Sequence, residues 1–205
     1  KAAPTPPGQP KPYAEVLTDA KAIPGYFTLH EKDEKVWIEI KPEQFDKPFF
    51  FSANIPRSIG ARGLYGGQMA GPWFGMPFAG SHMAVWKKVG NQVQFFAKAG
   101  TPQAQFVSES FSDSLIASAP AAAAPHPDTK AVVIEATALL FADVLGYGTM
   151  IEQAFRMPYA LDAKNSSFSR VTNADGGTSL QVNAHFAVPK ISPPPLTPPP
   201  KPLPP

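Results

Sequence analysis

The chain of 205 residues contains no cysteine. That excludes a disulfide framework, a thiol nucleophile, a Cys-ligated zinc or iron centre, and the thiolate by which some protease pro-segments cap a metal. Imidazole is scarce as well: His30, His82, His126 and His185 stand far apart. A zinc hydrolase needs two His one helical turn apart with a Glu between them, and H-E-x-x-H is absent. The only His-Glu pair, His30-Glu31, is followed by Glu34 and Lys35 where the second imidazole belongs. No run of about 18 apolar residues occurs, so the sequence encodes no membrane-spanning helix. Charge of one sign is also lacking. The formal net charge is +2, and Lys and Arg stand singly or in pairs such as Lys87-Lys88. Without a basic stripe, nucleic acid is not an expected partner.

What the chain has is a globular share of apolar residues, 43%, and 26 prolines unevenly placed. Proline fixes φ and offers no backbone donor, so it bars helix interiors and central strands. Residues 1–12, with Pro4, Pro6, Pro7, Pro10 and Pro12, are therefore an extended lead-in, and 191–205 (ISPPPLTPPPKPLPP) a proline-rich linker. The P-x-x-P spacings Pro195–Pro198 and Pro199–Pro202 fit aromatic grooves in principle, but the linker reading takes precedence. The folded body is 13–190, with a small hairpin subdomain at 13–55 beside 82–190. The opening Lys-Ala-Ala-Pro-Thr-Pro-Pro has the look of an end left by signal-peptide removal. The expected location is therefore exported: periplasmic, outer-membrane-associated or secreted.

Period-two alternation dominates the body. Gly25–His30 and Val36–Ile40, separated by the charged turn Glu31–Lys35, predict a hairpin. A helical turn at Pro42–Asp46 precedes a buried strand, Phe49–Ile55. Met83–Val89 and Gln92–Ala97 around Gly90-Asn91 predict a second hairpin. Pro102–Ala117 reads as a helix followed by a strand, and Ala119–Pro127 as a loop because of Pro120, Pro125 and Pro127. Ala131–Glu135 is β-branched and reads as a strand. Ala136–Leu145 continues as a short helix with Leu139, Leu140, Val144 and Leu145 on one face. After a turn at Asn173–Gly177, Ser179–Val188 alternates again. The fold class is α+β, β-rich, built from antiparallel hairpins with a few short helices and extended Pro-rich tails.

Candidate chemistry is thin. The serines of Ser108–Ser114 sit in no G-x-S-x-G elbow and read as a capped helix start. The glycine-rich stretch Ser58–Ser81 lacks the Lys-Ser/Thr ending of a phosphate loop. Two readings stand for it. It is a long connection whose aromatics fold back onto the sheet or onto a neighbouring domain, or a recognition loop built from Tyr65, Trp73, Phe74 and Phe78 with Arg57 and Arg62 nearby. On the second reading Arg62, Tyr65, Trp73 and Phe74 are the binding residues. No catalytic or metal-ligating residue is assigned, and no cofactor is expected in this chain.

Three segments carry a family likeness: Gly25–Ile40 (GYFTLHEKDEKVWIEI), Phe49–Ile55 (FFFSANI) and Val107–Ile116 (VSESFSDSLI). Together they resemble the N-terminal uncharacterised regions of large bacterial zinc-dependent metalloproteases. There a hairpin of the type G-x-F-x-x-H-x-K-D-x-K opens the region, and a Ser-Phe-x-Asp-Ser segment precedes a strand whose Val-to-acid run is matched here by Val133–Glu135. The resemblance implies a metzincin-like catalytic domain downstream, holding the zinc, as this region's partner in cis or as a separate cleaved chain. It carries no catalytic residue onto these positions. The implied role is a non-catalytic accessory or pro-region assisting folding, latency or substrate access. A stand-alone envelope module binding peptide or glycan is the alternative.

Overall fold

The computed structural model describes residues 10–69, 81–98, 113–174 and 176–188. The fold is β-rich α+β with antiparallel pairing throughout its sheets. One four-stranded sheet runs β1 (Lys21–Ile23), β2 (Thr28–Lys32), β3 (Lys35–Ile40) and β10 (Val132–Glu135). The second runs β4 (Phe49–Ser52), β7 (Ser81–Val89), β8 (Gln92–Ala97) and β9 (Ser114–Pro120). An isolated bridge at Ala121–Ile134 links the ends of the two sheets, and Phe45, between β3 and β4, makes an isolated parallel bridge to Trp86. Short pairs complete the set: β5 (Asn54–Ile55) with β6 (Gln68–Met69), β11 (Ala160–Leu161) with β14 (Phe186–Ala187), and the long hairpin β12 (Ser167–Ala174) with β13 (Gly177–Asn183).

Turn chemistry explains the hairpins. The β2–β3 connection is only Asp33-Glu34, flanked by the Lys32–Lys35 pair. Both turn residues have positive φ, 48° and 65°, as a type I′ turn demands. At β7–β8 the first turn position falls on Gly90 (φ 58°), where positive φ carries no Cβ penalty.

Alternation then sends one face of each strand inward. Leu29, Val36, Ile38, Ile40, Val132 and Ile134 from the first sheet meet Ala84, Trp86, Val93, Phe95 and Ala119 from the second in one core. Rings interlock there: Phe27 meets Phe49 edge-on at 5.0 Å, and Trp86 lies 4.6 Å from Phe95. Phe168, Val171 and Leu180 of the β12–β13 hairpin pack against the same core. Residues of the 13–55 stretch and of the part from 82 onward both contribute to this core.

Three helices are described: α1 (Tyr13–Val16), α2 (Ala136–Leu140) and α3 (Tyr147–Phe155). Met150, Ile151 and Phe155 of α3 form a second small core with Leu64. The expected helical turn is a single 3-10 turn at Pro42–Gln44.

Some expectations shift. Phe49–Ile55 is not one buried strand: it breaks at Ala53, and Phe50 faces outward at 69% exposure because strict alternation leaves only Phe49 and Phe51 for the core. Ala119 and Pro120 close β9 rather than opening the loop. The helix from Ala136 stops at Leu140, so Leu145 joins the second core instead of lining one face with Leu139. The proline-rich tails (1–9 and 189–205) and the expected helix within Pro102–Ala117 lie outside the described residues. No described helix is long and apolar enough to cross a membrane.

Candidate functional site

The chemistry-bearing residues that folding brings together lie on the outward face of the first sheet. On β3, Val36, Ile38 and Ile40 point into the core, so Trp37 and Glu39 point away from it. His30 is paired across from Trp37, which makes Glu39 its diagonal neighbour on the same face. The geometry is realised: His30 Nε2 lies 2.7 Å from Glu39 Oε2, with both side chains largely buried at 11% and 14% exposure. Tyr13, the first residue of α1, donates its hydroxyl to the same Oε2 at 2.8 Å. Its ring meets that of His126 edge-on at 4.8 Å and stands 6.5 Å from that of His30.

One carboxylate thus accepts from a phenol and an imidazole. Burial first, and then the hydrogen bond to and negative charge of Glu39, push the Tyr13 phenol well above the ordinary tyrosine range. Tyr13 is therefore a committed donor at neutral pH and not a phenolate base. The effect is to fasten the N-terminal segment to the sheet. Further ties run alongside: Ala124 N donates to Lys11 O at 2.8 Å, and Lys32 Nζ to Thr18 O at 2.8 Å. Among the described residues, no group of three or more His, Cys, Asp or Glu could hold a metal ion.

Two of the four sequence-derived binding residues, Arg62 and Tyr65, lie among the described residues. Arg62 Nη1 donates to Ala154 O at 2.7 Å, and its guanidinium lies over the Phe155 ring at 5.0 Å. It closes the C-terminal end of α3, where a cation complements the free carbonyls. Tyr65 is half exposed and has Leu64 beside it buried in the second core. Ser58 anchors the same loop, donating to Leu64 O at 3.0 Å and sharing a hydrogen bond with Tyr147 Oη. Trp73 and Phe74 lie outside the described residues.

A second juxtaposition has the residue types of a hydrolase but not the wiring. Asp162, Ser166 and His185 are neighbours, yet the Ser166 hydroxyl donates to Asp162 O at 2.8 Å and accepts from the His185 backbone N at 3.0 Å. The Asp162 carboxylate takes Asn165 Nδ2 and Lys164 N instead of an imidazole. This is a turn lock. Of the serine cluster, residues 108–112 lie outside the described set. Asp113 beside it is paired with Lys87 and Lys98, each at 3.4 Å.

Sequence reasoning missed the Tyr13 cluster. The signal for its inner half was present, since a hairpin with a two-residue turn at Asp33-Glu34 places His30 and Glu39 on one face. Nothing local pointed to Tyr13 or His126.

Residues 10–58 match a family described as a domain of unknown function (DUF5118). The matched stretch holds α1, β1 to β5 and the 3-10 turn, and so Tyr13, His30 and Glu39 but not His126. No curated protein and no solved structure matches the chain.

Proposed function

We propose that this chain is the non-catalytic N-terminal accessory or pro-region of an exported zinc-dependent metalloprotease, packing on a catalytic domain in cis or as a separate cleaved chain. The observation that carries the reading is the use to which the matched stretch puts its own reactive groups. Tyr13, His30 and Glu39 are bound to one another and hold the N-terminal segment in place. A region whose imidazole–carboxylate pair is committed to architecture serves its parent through folding, latency or access. Bond breaking, with its zinc, belongs to the downstream domain. The test is to express the complete parent protein with and without residues 10–188 and assay casein cleavage with and without a chelator. Chelator-sensitive cleavage whose yield, latency or substrate range changes on deletion is expected. A parent lacking chelator-sensitive activity, or indifferent to the deletion, defeats the proposal.

The half-exposed Tyr65, with Ile59 and Met69 exposed on the same loop, supports the second reading, an envelope module gripping peptide or glycan. It requires that Tyr65→Ala weaken ligand retention without lowering stability.

A further inference from the structure

The member of the Tyr13 cluster that the accessory role leaves unexplained is His126. Its Nδ1 accepts from the backbone N–H of Asp128 and of Thr129, both at 3.2 Å. His126 N also donates to Ala131 O at 2.9 Å, and Lys130 N returns to His126 O at 3.0 Å, with Lys130 at a positive φ of 57°. The ring is therefore the cap of the 126–130 turn, and it can cap only while Nδ1 keeps its lone pair. The neutral Nε2–H tautomer meets that requirement, whereas an imidazolium carries a proton on both nitrogens.

The outer side of this ring supports the N-terminal segment. Tyr13 packs edge-on against it, and two residues earlier in the loop Ala124 N holds Lys11 O. The charged and titratable groups on the elements around it are Tyr13, whose ring meets it, the Lys11–Glu15 pair of the α1 segment, the His30–Glu39 pair bonded to Tyr13, and Asp128 and Lys130 of the turn itself. The two imidazoles respond to acid in opposite senses. A protonated His30 remains a donor to Glu39, so that contact survives. A protonated His126 sets an N–H against two backbone N–H groups, and the turn must open or the ring must swing out.

We infer that His126 makes the attachment of the N-terminal segment acid-labile: protonation of its ring opens the 126–130 turn, removes the ring's support from Tyr13 and loosens residues 10–20 while the two-sheet core stays folded. The inference does not depend on the metalloprotease reading. It requires that the attachment be tighter with a neutral His126 ring than with a protonated one.

Amide hydrogen exchange on the full chain, from about pH 8 to about pH 5 with intrinsic rates corrected, tests it. Protection at Asp128 and Thr129, and at Leu17, whose N–H bonds Tyr13 O, should fall by about fivefold or more, the size of one capping contact. Protection at Ile38 and Val133 should not move. In His126→Asn a non-titrating amide oxygen takes over the acceptor role, and the pH dependence should vanish. Wild-type protection that stays flat, a dependence that persists in His126→Asn, or one abolished by His30→Asn instead would each overturn the proposal. The imidazole nitrogen shifts of the wild-type protein provide a check without substitution: an Nδ1–H tautomer at pH 8 overturns it as well.

Discussion

Asn173 lies directly over Gly25, and a Cβ built on that glycine would sit 2.6 Å from the Asn173 Oδ1. The amide uses that opening. Its Nδ2 donates to Ile23 O at 2.7 Å and to Phe27 O at 3.0 Å, and its Oδ1 accepts from Thr178 at 2.7 Å. One side chain near the C-terminal end thus ties the long β12–β13 hairpin to the β1–β2 connection, about 150 residues away along the chain.

Gly25→Ala should therefore cost about 1–3 kcal/mol, because the methyl displaces an amide holding two partly buried carbonyls. Asn173→Ala should cost a similar amount. The two effects should fall well short of additive, since either change breaks the same clasp. Urea denaturation of the two single variants and the double variant measures this, and full additivity would contradict the clasp.

Trp86 is buried in the core with its Nε1 unpartnered among the described residues. Burying an indole N–H without an acceptor costs about 1–3 kcal/mol, which offsets part of the value of the ring's packing. Trp86→Phe, which removes the unpaired donor, should change stability by less than about 1.5 kcal/mol, whereas Trp86→Ala should cost about 3–5 kcal/mol. Thermal unfolding distinguishes the two substitutions. A Phe variant as damaged as the Ala variant would show that the indole is better satisfied than its surroundings indicate.

The Tyr13 hydroxyl predicts an alkaline response of definite sign. Its folded-state pKa is raised, chiefly by burial and then by Glu39, so the folded chain keeps the phenolic proton after the unfolded chain has lost it. The contribution is complete below the ordinary tyrosine value of about 10 and is lost as pH climbs beyond it. Tyr13→Phe should lower stability by about 1–2 kcal/mol near neutrality and flatten the decline above about pH 10. Denaturant midpoints measured across that range decide it; an unchanged alkaline slope counts against the Tyr13–Glu39 bond.

Asp162 predicts the opposite limb. The Asn165 hydrogen bond holds its carboxyl below the ordinary aspartate value. Its contribution is present above that value, about 4, and is lost as pH falls through the depressed one. Asp162→Asn should soften the acid limb of the stability profile. Because the group is solvent-screened the effect should be small, and it should shrink further in high salt. An acid limb steeper in the variant would reverse the assignment.

The legible parts of this protein are those in which neighbours in sequence are neighbours in space. The alternation of Val36-Trp37-Ile38-Glu39-Ile40, the turn at Gly90-Asn91 and the β-branched run Val132–Ile134 reveal their strands because side-chain period and turn stereochemistry are local properties. Strand β12 escaped notice because Ser167–Ala174 is largely polar and half-exposed, and lies where only its packing onto the two-sheet core identifies it. Helix α3 was hidden by Gly146 and Gly148, and it is held by contacts to Leu64 and Arg62 far away along the chain.

From the amino acids alone come the β-rich class, the main hairpins and the lack of any His pair at zinc-motif spacing. Tertiary structure alone decided that β10 pairs with β3, that Tyr13 closes over the His30–Glu39 pair with His126 packed against its ring, and that Arg62 ends a helix. Those contacts join residues dozens of positions apart, and their selection rests on burial of a shared core and on satisfying buried polar groups, neither of which any local pattern records.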